Sequence, residues 1–387
     1  MSVTTTDAAG NSTTTTATHD YSVDTVAPEL AVSVDPITAD NVINATESGG
    51  SVSVTGKVTG EFNEGDVVTL TVGSSSLVGA VGADGTWTIV VAGSDLAASD
   101  ALSVSVTTVD AAGNSTTVTV SYDYSVDTTA PEVTVSVDPV TSDNVINAAE
   151  SGGSVNVTGQ VTGEFNEGDA VTLTVNSVEY AGAVGADGAW TIAVAGSDLA
   201  ASSSLDVSVT TVDAAGNSTT STTTHSYGVD TIAPELTVSV DPVTSDNVIN
   251  AAESGASVDV TGKVTGEFNE GDVVTLTVGG TSLTGAVGAD GSWTIAVAGT
   301  DLAASDAVSV SVTSTDSAGN STTATVSHDY SVDTTAPELT VSVDPITADN
   351  VINAAEFGTS VNVTGQVTGE FNEGDVVTLT VGSTSLT

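Results

Sequence analysis

Short runs in which Val, Leu or Ile alternates with Thr or Ser recur along the whole chain, and no apolar stripe of 3.6-residue period interrupts them. The runs fall into a repeat of 103 residues: Val-Asp-Thr places its Asp at 24, 127, 230 and 333, with nothing gained or lost between copies. Seven such runs in each period, separated by turn signals, predict an all-β chain of tandem immunoglobulin-like β-sandwich modules arranged end to end as a rod. Two other strings keep the same spacing. Asp-Asn-Val-Ile-Asn starts at Asp40, Asp143, Asp246 and Asp349, and Asp-Ala-Ala-Gly-Asn starts at Asp7, Asp110 and Asp213, with Asp-Ser-Ala-Gly-Asn at Asp316.

One period shows where each strand comes from. Val133, Val135 and Val137 alternate with Thr and Ser until Asp138-Pro139 breaks the run. Val155, Val157 and Val161 form the second strand, which ends in the acidic turn Gly163 to Asp169. Val171, Leu173 and Val175 form the third, and a fourth short run reaches Val184. Gly185-Ala186-Asp187-Gly188 is a turn signal, and Trp190, Ile192 and Val194 follow at period two. After Gly196 to Ser204 come Leu205, Val207 and Val209; Asp213 to Asn217 then turns the chain into a Thr-rich strand ending at Val229. Val and Thr suit a pleated, half-buried surface. Neither the Cys pair nor the third-strand Trp of antibody domains is present, so the assignment rests on strand number and spacing.

The period divides the chain into the end of one module at 1–24, whole modules at 25–127, 128–230 and 231–333, and the first half of another at 334–387. It reads as part of a longer protein. About 100 residues is enough for an independent core. All eight prolines fall at two places in the repeat: Pro28, Pro131, Pro234 and Pro337 in Ala-Pro-Glu at the joint, and Pro36, Pro139, Pro242 and Pro345 at the end of the first strand. Proline fixes one backbone dihedral, which stiffens a short joint.

Fifty Asp and Glu stand against two basic residues, Lys57 and Lys263. With no cation to neutralise phosphate, nucleic acid and anionic membrane surfaces are excluded as partners. No run approaches the ~20 apolar residues of a membrane-spanning helix. The absence of Cys excludes a disulfide framework and thiolate chemistry. Surface ion pairs cannot offset the self-repulsion of so many carboxylates, so counter-charge must come from solution, either as small cations that screen loosely or as divalent cations bound at defined places.

Strand geometry says where those cations belong. In an up-and-down sandwich the first and fifth loops and the C-terminus share one end, and the second and sixth loops share the other. At each joint, one module therefore presents its Asp-Asn-Val-Ile-Asn loop to the next module's acidic turn and Asp-Ala-Ala-Gly-Asn turn. At Asp127 the first supplies Asp40, Asn41, Asn44, Glu47 and Asp95, and the second supplies Glu164, Glu167, Asp169, Asp213 and Asn217. Calcium accepts six to eight such oxygens with tolerant geometry. The expected ligands are the joint residues Asp24, Asp127, Asp230 and Asp333, and Asp40, Asn44 and Glu47 with their counterparts Asp143, Asn147, Glu150, Asp246, Asn250, Glu253 and Asp349. To these are added Asp66, Asp169 and Asp272 of the acidic turns and Asp110, Asp213 and Asp316 of the later turns. If residues 40–47 form a short helical turn, Asp40, Asn44 and Glu47 point to one side. The opposing reading is that these Asp and Asn side chains cap turns by bonding backbone amides. A second opposing reading is adaptation to high salt, but that scatters acids over strand faces, whereas most here are in loops.

The strings Val-Asp-Thr-Thr-Ala-Pro-Glu, Asp-Pro-Ile-Thr-Ala-Asp-Asn-Val-Ile-Asn-Ala and Asp-Ala-Ala-Gly-Asn resemble the bacterial Ig-like extender repeats of giant calcium-dependent RTX-type adhesins, the ice-binding and biofilm type. The resemblance covers the whole chain. It implies a sandwich fold, calcium at the joints, an extracellular place on the bacterial surface, and adhesive domains elsewhere in the protein. On this reading the chain is a structural spacer whose immediate partners are neighbouring repeats.

Other functions fit less well. Glu64 and Asp66 pair carboxylates as general acid–base chemistry requires, but they recur as turn residues with no His or cleft beside them. Trp87, Trp190 and Trp293 share period two with Ile89, Ile192 and Ile295, which marks them as core rather than sugar-stacking platforms. His19, His225 and His328 align with Tyr122, so no metal site common to all modules depends on them. Asn-Ser-Thr at Asn11, Asn114, Asn217 and Asn320 matches a glycosylation pattern that carries little weight in a bacterial surface protein. A carbohydrate- or ice-binding module is the alternative function, because exposed strand positions are rich in Thr.

Overall fold

The structure, a computed structural model, describes Met1–Thr387. Two compact units make up the chain, and each is described by itself. The first comprises Met1–Ile146 and Glu150–Val229, and the second Asn147–Ala149 and Asp230–Thr387.

Within the first unit, alternation becomes two sandwiches, each closed over its own core. In the later one, Val133–Val137, Ser154–Gly163 and Ala189–Ala195 form a three-stranded sheet with the longest strand in the middle. Val178–Ala183, Ala170–Val175, Ser204–Val212 and Ser218–Ser226 form the facing four-stranded sheet in that order. All these pairings are antiparallel, with Val135 opposite Val161, Val157 opposite Ile192 and Leu173 opposite Val207. Side chains alternate between faces along a strand, so Val157, Val161, Leu173 and Val209 are fully buried while Thr158, Thr172 and Thr174 on the outer face are only half-buried. The seven strands expected from the pattern are the seven main strands observed.

Core packing explains one glycine. The Trp190 ring lies across the middle strand at Gly159, where an added Cβ would sit 2.1 Å from the Ser136 carbonyl oxygen and 2.4 Å from Trp190 Cζ2. Only a residue without a side chain lets the indole lie flat there. Trp190 is 2% exposed, as are its counterparts Trp87 and Trp293, which places all three in the core. Tyr227 closes the sandwich end by donating its hydroxyl to the Leu199 carbonyl at 3.0 Å.

Four short elements of the repeat escape the sequence pattern. Val145–Ile146 is a two-residue strand that runs parallel to Gly228–Val229, and Val42–Ile43 pairs likewise with Ser125–Val126. The last residues of a repeat are thereby bound to its own first loop. The helices Ala45–Ser48 and Ala148–Ser151 follow, and Gly93–Ala97 and Gly196–Ala200 occupy the loop after the Trp strand. Residues 40–47 are consequently not one helical turn: extended backbone at Val42–Ile43 separates Asp40 from the helix carrying Glu47. The backbone reverses at Asn41, whose φ of 61° suits the short polar side chain of Asn.

In the second unit a third sandwich of the same order surrounds a core running from Val243 to Tyr330. Beyond it, Leu339–Val343 pairs with Gly365–Gly369 and Leu379–Val381 with Thr384–Leu386. At the other end of the chain, in the first unit, Ser2–Thr6 and Ser12–Thr16 form a hairpin.

Candidate cation clefts

Three of the four Val-Asp-Thr aspartates, Asp24, Asp127 and Asp230, line a cleft, and a glutamate and a second aspartate line it with them each time. Asp127, Glu164 and Asp213 line one of about 320 Å³. Asp24, Glu61 and Asp110 line one of about 310 Å³, and Asp230, Glu267 and Asp316 one of about 550 Å³. Phe165, Phe62 or Phe268 forms the apolar side of the cleft.

Local folding brings the three together. Asp127 is held by its backbone amide, which donates to the Ile43 carbonyl at 3.0 Å, and by its own Oδ1, which accepts the Thr129 amide at 3.1 Å. Glu164 and Glu132 bind reciprocally: the Glu164 amide donates to the Glu132 carbonyl at 2.8 Å, and Glu164 Oε2 accepts the Glu132 amide at 3.0 Å. Gly163, at φ +99°, makes that approach possible, since a Cβ there would stand 2.2 Å from the Glu132 oxygen. Asp213 organises its own turn, with Oδ1 accepting the Ala215 and Asn217 amides and Oδ2 accepting Asn217 Nδ2 at 2.9 Å.

That last bond is the largest influence holding the Asp213 carboxyl below its ordinary value, and the equivalent bonds from Asn114 and Asn320 do the same for Asp110 and Asp316. Asp213 therefore keeps its negative charge to lower pH than a free aspartate. Asp127 Oδ2 and Glu164 Oε1 accept no hydrogen bond from the protein. The donor set is all hard oxygen with no cationic side chain among it, the chemistry a calcium ion requires. The carboxylates line an open cleft rather than a closed cage, and no three acidic or His side chains converge tightly enough to enclose an ion.

The other expected ligands have protein partners. Oδ1 of Asp40, Asp143, Asp246 and Asp349 accepts a Thr hydroxyl two residues earlier and a Val amide two residues later. Those hydroxyls, of Thr38, Thr141 and Thr244, are the first cause that lowers the carboxyls of Asp40, Asp143 and Asp246. Asn44 and Glu47 cap the helix Ala45–Ser48 reciprocally, each side chain accepting the other's amide, and Asn250 and Glu253 repeat the exchange. Asn147 Oδ1 accepts the Ala149 amide, and Glu150 lies in the helix Ala148–Ser151. Asp66, Asp169 and Asp272 turn inward, Oδ2 accepting the amides of Asn63, Asn166 and Asn269. Asp333 Oδ1 accepts the Thr335 amide.

Turn capping thus accounts for many residues, while the joint aspartates and the Asp-Ala-Ala-Gly-Asn aspartates share the clefts. The sequence placed Glu164 at the Asp127 joint, but the expected ligands of the acidic turns were Asp66, Asp169 and Asp272, each five residues after Glu61, Glu164 or Glu267. The Asn of Asn-Ser-Thr was also underrated. Asn217 and Asn320 are each 4% exposed, with Nδ2 donating to two oxygens, so they are structural and not glycan acceptors.

Comparison with solved structures gives the family. One match, at 47% identity with a TM-score of 0.81, covers 92% of this chain and 86% of its own; it is a Ca2+-stabilized adhesin that helps an Antarctic bacterium reach out and bind ice. The chain belongs to the Ig-like extender repeats of bacterial RTX-type adhesins. A second match, from a 1.5-MDa bacterial ice-binding adhesin studied for its retention on the host cell surface, is 41% identical with a TM-score of 0.61 and covers 81% of this chain and all of its own. No family model and no curated protein matches the chain. Extender repeats of this kind are built from the same tandem sandwiches seen here.

Proposed function

We propose that the chain is a spacer in a bacterial cell-surface adhesin, stiffened by calcium at the joints between repeats, with the adhesive ligand bound by domains outside it. The observation that carries this reading is the recurrence of one cleft, built from a joint aspartate, a glutamate and a turn aspartate, at three successive joints. In that open cleft a hydrated ion would sit beside Asp127, Glu164 and Asp213 and supply positive charge to carboxylates that no cationic side chain offsets. Like charges a few ångströms apart near a surface cost ~1 kcal/mol or more per pair. The joint residues come from the end of one repeat and the loops of the next, so neutralising them fixes the angle between repeats. Whole sandwiches with filled cores lie between the joints, which is what a spacer requires.

Thermal unfolding of the chain tests this. A ligand at 100 times its dissociation constant adds ~2.7 kcal/mol per independent site, so millimolar calcium is expected to raise the midpoint by many degrees. An equal rise in sodium chloride of matched ionic strength would assign the effect to screening and remove calcium from the account.

A further inference from the structure

The six residues Asn-Ala-Ala-Glu-Ser-Gly occur at 147–152 and again at 250–255. The first copy contains the α-helix Ala148–Ser151, whereas the second forms only the 3-10 turn Glu253–Gly255. The residue that follows differs, Gly153 against Ala256, and so does what touches the six. In the second unit the Ala148 amide donates to Asn320 Oδ1 at 2.8 Å, whereas the Ala251 amide has no such acceptor. The first unit shows the helical case again: the Ala45 amide, which opens the helix Ala45–Ser48, donates to Asn217 Oδ1 at 2.7 Å across 172 residues of sequence. The first amides of a helix have no partner within it, and Asn44 already serves Glu47. Asn217 supplies the missing acceptor.

Asn217 is saturated in this position. Both Nδ2 hydrogens are used, one on the Asp127 carbonyl and one on Asp213 Oδ2, each at 2.9 Å. The side chain is buried, and Gly216 brings the turn so close that a Cβ there would stand 3.4 Å from Asn44 Nδ2. Asn114 is the control within the same chain: it bonds Asp110 Oδ2 and the Asp24 carbonyl but takes no amide from another repeat.

We propose that Asn217 is a positioning residue that seats its repeat on the one before it, forming a latch that needs no cation and that winds the helix it touches. The exposed turn Asn250–Gly255 is then a docking surface for the Asp-x-Ala-Gly-Asn turn of a following repeat. An unsatisfied buried carboxamide is costly, so the pair forms as a unit or not at all. The latch differs from the calcium reading and stands or falls separately, because its test is run with calcium removed.

Hydrogen exchange on the full chain in chelator reads it directly. The amides of residues 45–48 are expected to exchange roughly tenfold or more slowly than those of residues 251–254, as local opening free energy dictates. Asn217→Ala should erase the difference, Asn114→Ala should leave it, and Asn217→Asp, which keeps the oxygen and loses the amide donor, should fall between. Exchange over the strand Ser204–Val212 reports whether the Asn217→Ala repeat is still folded. If that strand opens, the comparison of 45–48 with 251–254 in the unmutated chain decides. Equal exchange at those two segments, or no change in a folded Asn217→Ala chain, overturns the latch.

Discussion

The main-chain oxygen of Asp127 lies 2.9 Å from Nδ2 of Asn217, so the residue that ends one repeat is bonded into the turn that closes the next. The Asp127 carboxylate faces the cleft beside Glu164. Backbone and side chain of one residue thus serve two purposes, position and charge, and substitutions can separate them.

Asp127→Ala keeps the backbone bond and removes only the carboxylate. It is expected to lower calcium affinity at its joint, read by calorimetric titration. Glu179→Ala, on an exposed strand position away from the cleft, should leave affinity nearly unchanged. Equal losses would mean that bulk charge rather than a site attracts the ion.

Acid should weaken the joint through Asp213. Its folded carboxyl titrates below the ordinary 3.8, chiefly because of Asn217. The folded state therefore binds fewer protons than the unfolded state near that pH. The stabilisation is fully present above 3.8 and is lost as pH falls through the lower folded value. Protonation also relieves repulsion elsewhere in so acidic a chain, so the informative quantity is the gap in thermal midpoint between the natural chain and Asp213→Asn. That gap should hold from pH 6 to about 4.5 and close below the carboxylate range, ~3.9 for a free Asp; a gap that widens in acid contradicts the assignment.

Gly159→Ala forces a Cβ against the Ser136 carbonyl and the Trp190 ring. Overpacking of this kind costs ~1–3 kcal/mol, and more where backbone must move. The denaturant midpoint of that repeat, followed by Trp fluorescence, is expected to drop accordingly while calcium binding at folded joints persists.

The contrast between legible and illegible parts has a physical cause. The strand with Val157 and Val161 could be read because burial on one face imposes a period of two that survives in the sequence. The pair Val145–Ile146 could not: two residues carry no period, and their partner Gly228–Val229 lies at the far end of the same repeat. Which acid of Glu164, Glu167 and Asp169 faces the cleft depends on how the glycines of that turn bend it, and the spacing alone pointed to Asp169. The joint itself could be anticipated from strand direction, which set the Asp-Asn-Val-Ile-Asn loop against the next repeat's turns. The part played by Asn217 was hidden because its burial is created by a neighbour 172 residues earlier.

Small-angle scattering of the chain with and without calcium tests the spacer directly. A strand of ~8 residues spans ~26 Å, so three whole sandwiches with their turns should give a maximum dimension on the order of 100 Å or longer by the same measure. In calcium the distribution of shapes is expected to be narrow and extended. On chelation it should broaden, as repeats pivot about the Asn217 latch with their carboxylates no longer clamped. A compact particle in calcium, or a distribution indifferent to its removal, would contradict the account.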